Sequence, residues 1–300
     1  MPTANTSVPT LEHLPEAIDP TEVPPLRLAI YGEPGAGKTT LALSFPKPLI
    51  ISVDNGLEGG AVFQSLDGAE KWMPINWKDL NALYFWFKKQ IESKGYESII
   101  VDSITSLAML IRHEALLQEA SKRGEGQALE ELFAVTQPDY NKVATALEMY
   151  LLKLVQLSDV YGVHIVLTAN VREPDTDKGQ TKRSFDLQPA VERVVLQWAN
   201  IYGELVAEEV DDPADKDKPR NERRRIERRV LWTRVQDPRR KNKSRFASLN
   251  PGVKDPTFDK IWDLVGSEYE EEEPGPPDAE TGVEVKSTKK EKANASQASK

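Results

Sequence analysis

Apolar residues fall along this chain in short continuous runs, separated by stretches with helical spacing. Leu26-Arg27-Leu28-Ala29-Ile30-Tyr31 is the first run, and its lack of polar alternation predicts a strand covered on both faces. Leu49-Ile50-Ile51-Ser52-Val53 is the second; it ends at Asp54, and Asn55-Gly56 with Gly59-Gly60 predicts a loop after it. Residues 77–93 read as an amphipathic helix. Ser98-Ile99-Ile100-Val101 predicts a third strand ending at Asp102, followed by a helix from about Leu107 to Ala120. A polar, Gly-containing stretch at 121–127 separates that helix from a longer one over 138–159, where apolar residues recur at spacings of three and four. His164-Ile165-Val166-Leu167-Thr168 predicts a fourth strand. Strand and helix therefore alternate, and the expected fold is α/β: a mostly parallel sheet with helices on both faces.

The pattern then changes. Pro189–Trp198 predicts a helix with the proline in its first turn, where a missing N–H costs least. Ile201–Val206 and Arg229–Val235 predict two strands pairing as a C-terminal hairpin, with the charged segment 207–228 as its tip or loop. Thr257–Val265 predicts a short last helix. Residues 1–24, rich in Pro, Thr and Glu, read as a flexible arm. Residues 267–300, rich in Glu, Pro, Gly, Lys and Ser, have too little apolar content to bury and read as a disordered tail. One folded core over 25–266 is the expected organisation, with no internal repeat. The aromatics Trp77, Tyr84, Phe85, Trp86 and Phe87 on one helix, with Trp232 and Trp262, are expected in the core.

Composition removes several chemistries. The 300 residues include no cysteine, which excludes disulfides, thiolate nucleophiles and Cys-based zinc sites. The three histidines, His13, His113 and His164, are scattered and suggest no His-rich metal centre. No apolar run approaches the roughly 20 residues of a membrane span, and the N-terminus lacks a signal-peptide pattern, so a cytoplasmic protein without membrane contact is expected. Net charge is −9, but Lys216–Arg245 carries fourteen Lys or Arg against four Asp or Glu, leaving the remainder strongly acidic.

Gly32-Glu33-Pro34-Gly35-Ala36-Gly37-Lys38-Thr39 matches the phosphate-binding pattern G-x-x-x-x-G-K-[ST], with a predicted strand before it and Thr40-Leu41-Ala42-Leu43 opening a helix after it. The glycines free backbone N–H groups to face phosphate oxygens. Lys38 is suited to the β- and γ-phosphates and the Thr39 hydroxyl to Mg²⁺. Asp102, delivered by an apolar strand to the same sheet edge, fits a carboxylate that supports Mg²⁺, usually through water; a helix-capping role is its alternative.

The phosphate loop, Ile100-Val101-Asp102-Ser103 followed by Ile104-Thr105-Ser106-Leu107, and a fourth strand ending Thr168-Ala169-Asn170 resemble the RecA-like ATPase core. In detail the chain is similar to the phage-encoded RecA-like ATP-binding proteins that include single-strand annealing recombinases. Asp139-Tyr140 leading into a long helix, and the late basic run Lys241-Asn242-Lys243-Ser244-Arg245, carry this finer likeness over roughly residues 25–265.

The resemblance implies ATP and Mg²⁺ as ligands, single-stranded DNA as a partner, and a homo-oligomer, ring or filament. It also implies a single-strand-binding protein or a replisome component as a further partner, and the host cytoplasm as location. It implies a catalytic glutamate after the second strand; Gly56 stands at its usual place, so Glu58 is the candidate for orienting the attacking water, with Asp54 as the substitute. Asn170 takes the position of a polar γ-phosphate sensor, with Thr105 a weaker candidate. Lys182 and Arg183, in the loop after that strand, become candidates for DNA contact, against the reading of an exposed polar connection. Lys241, Lys243 and Arg245 become candidates for cations reaching the ATP of a neighbouring subunit. Arg223, Arg224 and Arg225, with Arg228 and Arg229, either track nucleic-acid phosphates or belong to a hairpin tip laced with ion pairs. The expected function is DNA-stimulated ATP hydrolysis in phage recombination or annealing. The alternatives are an ATP-dependent helicase loader acting on a protein partner, an ATP-binding module with little hydrolysis, and a small-molecule kinase.

Overall fold

The computed structural model describes residues 22–53, 70–123, 137–172, 183–234 and 240–269. At the centre of the sheet runs β1 (Arg27–Gly32), which leads into α1 (Lys38–Leu43) and β2 (Pro48–Ser52). Then come β3 (Glu70–Trp72), α2 (Trp77–Lys94), β4 (Ser98–Asp102), α3 (Ile104–Arg123), α4 (Gln137–Tyr161) and β5 (His164–Arg172). The second half comprises β6 (Ser184–Phe185), α5 (Pro189–Trp198), β7 (Ile201–Asp211), β8 (Arg225–Trp232), β9 (Lys243–Ser244), β10 (Gly252–Lys254) and α6 (Phe258–Gly266). The sheet order is β10-β8-β7-β1-β5-β4-β2-β3, with β6 on β5 and β9 on β7. Neighbours from β7 through β3 run parallel, while β8 and β10 are antiparallel additions.

The pleat sorts the apolar runs to two faces. Ala29, Tyr31, Leu49, Ile51, Ile99, Val101, Ile165 and Leu167 join one core with α2, α3, α4 and α5. Leu28, Ile30, Ile50, Ile100 and Val166 join the other, with Leu41 and Leu43 of α1 and Ile261 and Val265 of α6. This is the two-sided burial that the continuous runs predict, and each such side chain contributes about 1.5–3 kcal/mol when fully buried.

Helix boundaries follow their caps. Asn76 accepts from Asp79 N–H at 2.9 Å to open α2, and Gly95, at φ 66°, closes it. α3 begins three residues earlier than predicted, because Ser103 Oγ accepts from Ser106 N–H at 3.2 Å and so caps the turn before Leu107. The β7–β8 hairpin forms, but its ladder runs well into the segment predicted as tip: Ala207 pairs with Arg229, Glu208 with Arg228 and Asp211 with Arg225. Backbone pairing holds residues that hydropathy reads as loop, with opposite charges facing at Glu208–Arg228 and Asp211–Arg225 but like charges at Glu209–Glu227. β3, β9 and β10, each two or three residues long, escape a search for apolar alternation altogether. Phe85, expected in the core, is 59% exposed on the solvent side of α2, while Tyr84 and Phe87 are buried.

Candidate nucleotide-binding site

The turn after β1 takes its shape from its glycines. Gly35 (φ 83°) and Gly37 (φ 93°) lie in the left-handed region that residues with a Cβ avoid, and Ala36 N–H donates to Glu33 O at 3.2 Å across the turn. Gly32 answers a different need: a Cβ there would stand 2.3 Å from the carbonyl oxygen of Leu205 on β7. Lys38 Nζ folds back to donate to the carbonyls of Gly32 at 2.8 Å and Glu33 at 2.9 Å. Glu33, Pro34, Gly35 and Thr40 are exposed around this turn, and Ala36 is buried beneath it.

Parallel pairing carries two more candidates to this edge. Gly32 is in register with Asn170 on β5, and β4 beside β5 ends at Asp102. Thr39 Oγ1 donates to Asp102 Oδ2 at 2.8 Å, and Thr168 Oγ1 donates to Asp102 Oδ1. Asp102, only 8% exposed, precedes a cis peptide bond to Ser103. Asn170 is exposed; its N–H donates to Thr105 Oγ1 at 3.3 Å, and its carbonyl accepts from Asp186 N–H at 2.9 Å. The hydroxyl of Thr39 and the carboxylate of Asp102 thus converge beside Lys38, and this hard oxygen donor set suits Mg²⁺. Gly56, Asp54, Glu58 and Lys182 lie outside the described residues.

Two buried carboxylates, which the sequence reading passed over, organise the flank. Glu204, 1% exposed, has Arg183 Nε and Arg240 Nε each within 3.0 Å. Arg183 also pairs with Glu33 of the phosphate loop at 2.7 Å. Glu192 takes Lys241 Nζ on both oxygens at 3.0 Å, Arg172 at 3.2 Å and the Tyr202 hydroxyl at 3.1 Å. Burial, then the neighbouring Glu192, pushes the Tyr202 phenol well above its ordinary range; burial and Glu204 do the same to Tyr31, whose hydroxyl donates to Lys241 O at 2.9 Å. The only sequence signal for these glutamates is a lone acid inside an apolar run, as in Ile201-Tyr202-Gly203-Glu204-Leu205.

The remaining basic candidates have partners within the chain. Arg223 reaches Asp211 at 3.3 Å and the carbonyls of Lys218 and Lys216, Arg224 pairs with Asp212, and Arg225 stands 3.9 Å from Glu209 and from Asp211. That is the ion-paired hairpin tip foreseen as the alternative for this run. Lys243 donates to the carbonyls of Leu196 and Ala199, and Arg245 to Gln197 O at 3.1 Å, so both sit at the C-terminal end of α5, where cations are favoured. Burial lowers the Lys243 pKa. Arg229, a member of the same basic run, packs against Gly37.

At the opposite edge of the sheet, His164 accepts from Leu26 N–H through Nδ1 at 2.9 Å, among Phe45, Phe258 and Trp262. Among the described residues no helix is long and apolar enough to cross a membrane. A family model described as an AAA domain matches residues 24–246. No curated protein matches the chain.

Proposed function

The chain belongs to this AAA-domain family of P-loop ATPases, and on that premise we propose that it binds Mg²⁺-ATP and hydrolyses it to ADP and phosphate, acting on single-stranded DNA as a homo-oligomer. The observation that carries the ATPase reading is the Thr39–Asp102 hydrogen bond at 2.8 Å beside Lys38. It brings a loop hydroxyl and a strand-end carboxylate together from distant parts of the chain.

Backbone N–H groups of the Gly35–Thr39 turn hold the phosphate oxygens, and Lys38 exchanges carbonyl acceptors for the β- and γ-phosphates. The Thr39 hydroxyl and the Asp102 carboxylate would hold Mg²⁺, which would supply neutralisation of the charge that develops on the phosphates. Thr168 fixes the second oxygen of Asp102, so the carboxylate keeps its direction. Asn170, exposed beside Gly32, is the candidate for sensing the terminal phosphate. Water forms the new bond to the γ-phosphorus while the bond to the ADP oxygen breaks, and the water proton passes to a base, for which Glu58 is the candidate.

For single-stranded DNA as the polymer and phage recombination or annealing as the task, the support is the likeness of the motifs to RecA-like proteins. A second support is the ion pair that ties Arg183, next to the loop after β5, to Glu33. The in-chain pairing of Arg223, Arg224 and Arg225 favours one second reading, a loader whose ATP cycle acts on a protein partner. Steady-state ATP hydrolysis measured with and without single-stranded DNA tests the proposal. Stimulation by DNA is the expected outcome. Turnover indifferent to DNA moves the reading to a protein partner, and absence of turnover with intact ATP affinity leaves an ATP-binding module.

A further inference from the structure

The β7–β8 hairpin does not end where the phosphate loop turns. β7 stays in register with β1 as far as Tyr31 opposite Glu204, then runs on to Asp211, and β8 returns beside it from Arg225. Side chains alternate along both strands. Leu205 and Leu231 face the α1 side and pack with Leu41 and Leu43. Arg229, two residues before Leu231, projects on that same side, opposite the small Ala207. The overhang therefore delivers a guanidinium to the turn that opens α1.

The contact is close. A Cβ on Gly37 would lie 2.7 Å from Arg229 Nε and 2.9 Å from its Cδ. The backbone behind the side chain is fixed on both sides: Arg229 N–H donates to Asp255 Oδ1 at 3.1 Å, and Arg229 O accepts from Asp255 N–H at 2.6 Å. Its charge is less well matched than that of Arg183, which faces two carboxylates. Among the described residues Arg229 pairs with Glu227 at 3.3 Å, and the two side chains are 41% and 59% exposed. Its Nε is buried without a hydrogen-bond partner among the described residues.

We propose that Arg229 is a phosphate-contacting cation of the nucleotide site, acting within its own chain. When a nucleoside di- or triphosphate occupies the loop, the Arg229 guanidinium donates to phosphate oxygens beside Lys38. This inference rests on the reading of residues 32–39 as a nucleotide site. Arginine suits the place, because its planar fork of donors matches phosphate geometry and its charge persists at every working pH.

The test is equilibrium binding of ADP by calorimetry, at two salt concentrations, to the wild type, Arg229→Ala, Arg229→Lys and Lys38→Ala, with GDP as a second probe and the melting temperature without nucleotide as the fold control. Loss of a charged hydrogen bond is worth about 10- to 100-fold in affinity. Arg229→Ala is expected to lose that much, with a shallower salt dependence, while Arg229→Lys keeps part of it. ADP affinity within twofold of wild type in Arg229→Ala overturns the inference. So does a loss that leaves the salt dependence unchanged and that lysine does not restore, which would mean that Arg229 only shapes the Gly37 turn. A changed ratio of ADP to GDP binding would assign the side chain to the base and overturn the phosphate contact. A wild type that binds no ADP would overturn the nucleotide site itself, a result distinct from all of these.

Discussion

The phosphate loop and the β7–β8 hairpin leave the same sheet edge from adjacent strands, yet they hold their shapes by opposite means. The loop uses backbone: two left-handed glycines, one glycine pressed against the Leu205 carbonyl, and few side-chain contacts. The hairpin uses charge: Arg224 on Asp212, Arg223 on Asp211, and Trp232 Nε1 on Glu208 at 3.3 Å. All the atoms of the loop come from eight consecutive residues, so its chemistry is local. The meaning of a charge on the hairpin depends on a partner a dozen residues away or on another strand. A basic run is therefore informative only after its counter-ions are known.

The two regions meet at Glu204, and removing it should have the largest effect. Glu204→Ala removes the buried carboxylate between Arg183 and Arg240 and leaves only the exposed Glu33 beside Arg183; it is expected to cost about 3–5 kcal/mol in urea unfolding. A loss below about 1 kcal/mol would show that the hairpin root needs no charge. Next comes the loop itself. Lys38→Ala should reduce turnover by roughly 100- to 1,000-fold and change the nucleotide-free melting temperature little, since the left-handed glycines set the turn and the two Lys38 bonds go to its outer carbonyls; unchanged turnover and ATP affinity would sink the phosphate-loop assignment.

The far edge of the sheet is a control for both regions. Burial lowers the His164 pKa from its ordinary 6.5 to about 4. The unfolded chain thus binds the extra proton first, and stability present above pH 6.5 is lost as pH falls toward 4, by about 3 kcal/mol in full. His164→Asn keeps an acceptor for Leu26 N–H and should flatten that slope in acid unfolding; an unaltered slope would trace the loss to other groups. The smallest effect belongs to the hairpin tip. Arg225, with the longest ion pairs of its group, is the residue least held by its in-chain partners. Arg225→Ala should lower the log–log salt slope of single-stranded DNA binding by about 0.7, and an unmoved slope would confine the tip to its own ion pairs.

These contrasts also explain what the sequence made legible. The core strands were readable because Leu28–Tyr31, Ile99–Val101 and Ile165–Leu167 are buried on both faces and contain no turn residues. Lys38, Thr39 and Asp102 were readable because their motif fixes their geometry. The length of the hairpin was not, since Glu208 opposite Arg228 looks like solvent in a hydropathy scan and becomes strand only through its partner. Glu192 and Glu204 were hidden for the converse reason: they lie in apolar runs, and the cations that tolerate their burial come from residues 172, 183, 240 and 241. Arg229 was hidden in a run of five arginines, where only the register of β8 separates the one over Gly37 from its neighbours.

The ladder also sets a reach. Asp211 stands seven residues beyond Glu204 along β7, about 23 Å at the usual rise of a strand. A nucleotide held at Gly37 is within span of Arg229 at the root but far below Arg223, Arg224 and Arg225. On the proposed reading one hairpin serves two radii: its root reaches the nucleotide of its own chain, and its tip, beyond that nucleotide, keeps its own ion pairs or meets another molecule. Adding or deleting a pair of residues in each strand would move that outer contact by about 7 Å while leaving the inner one in place.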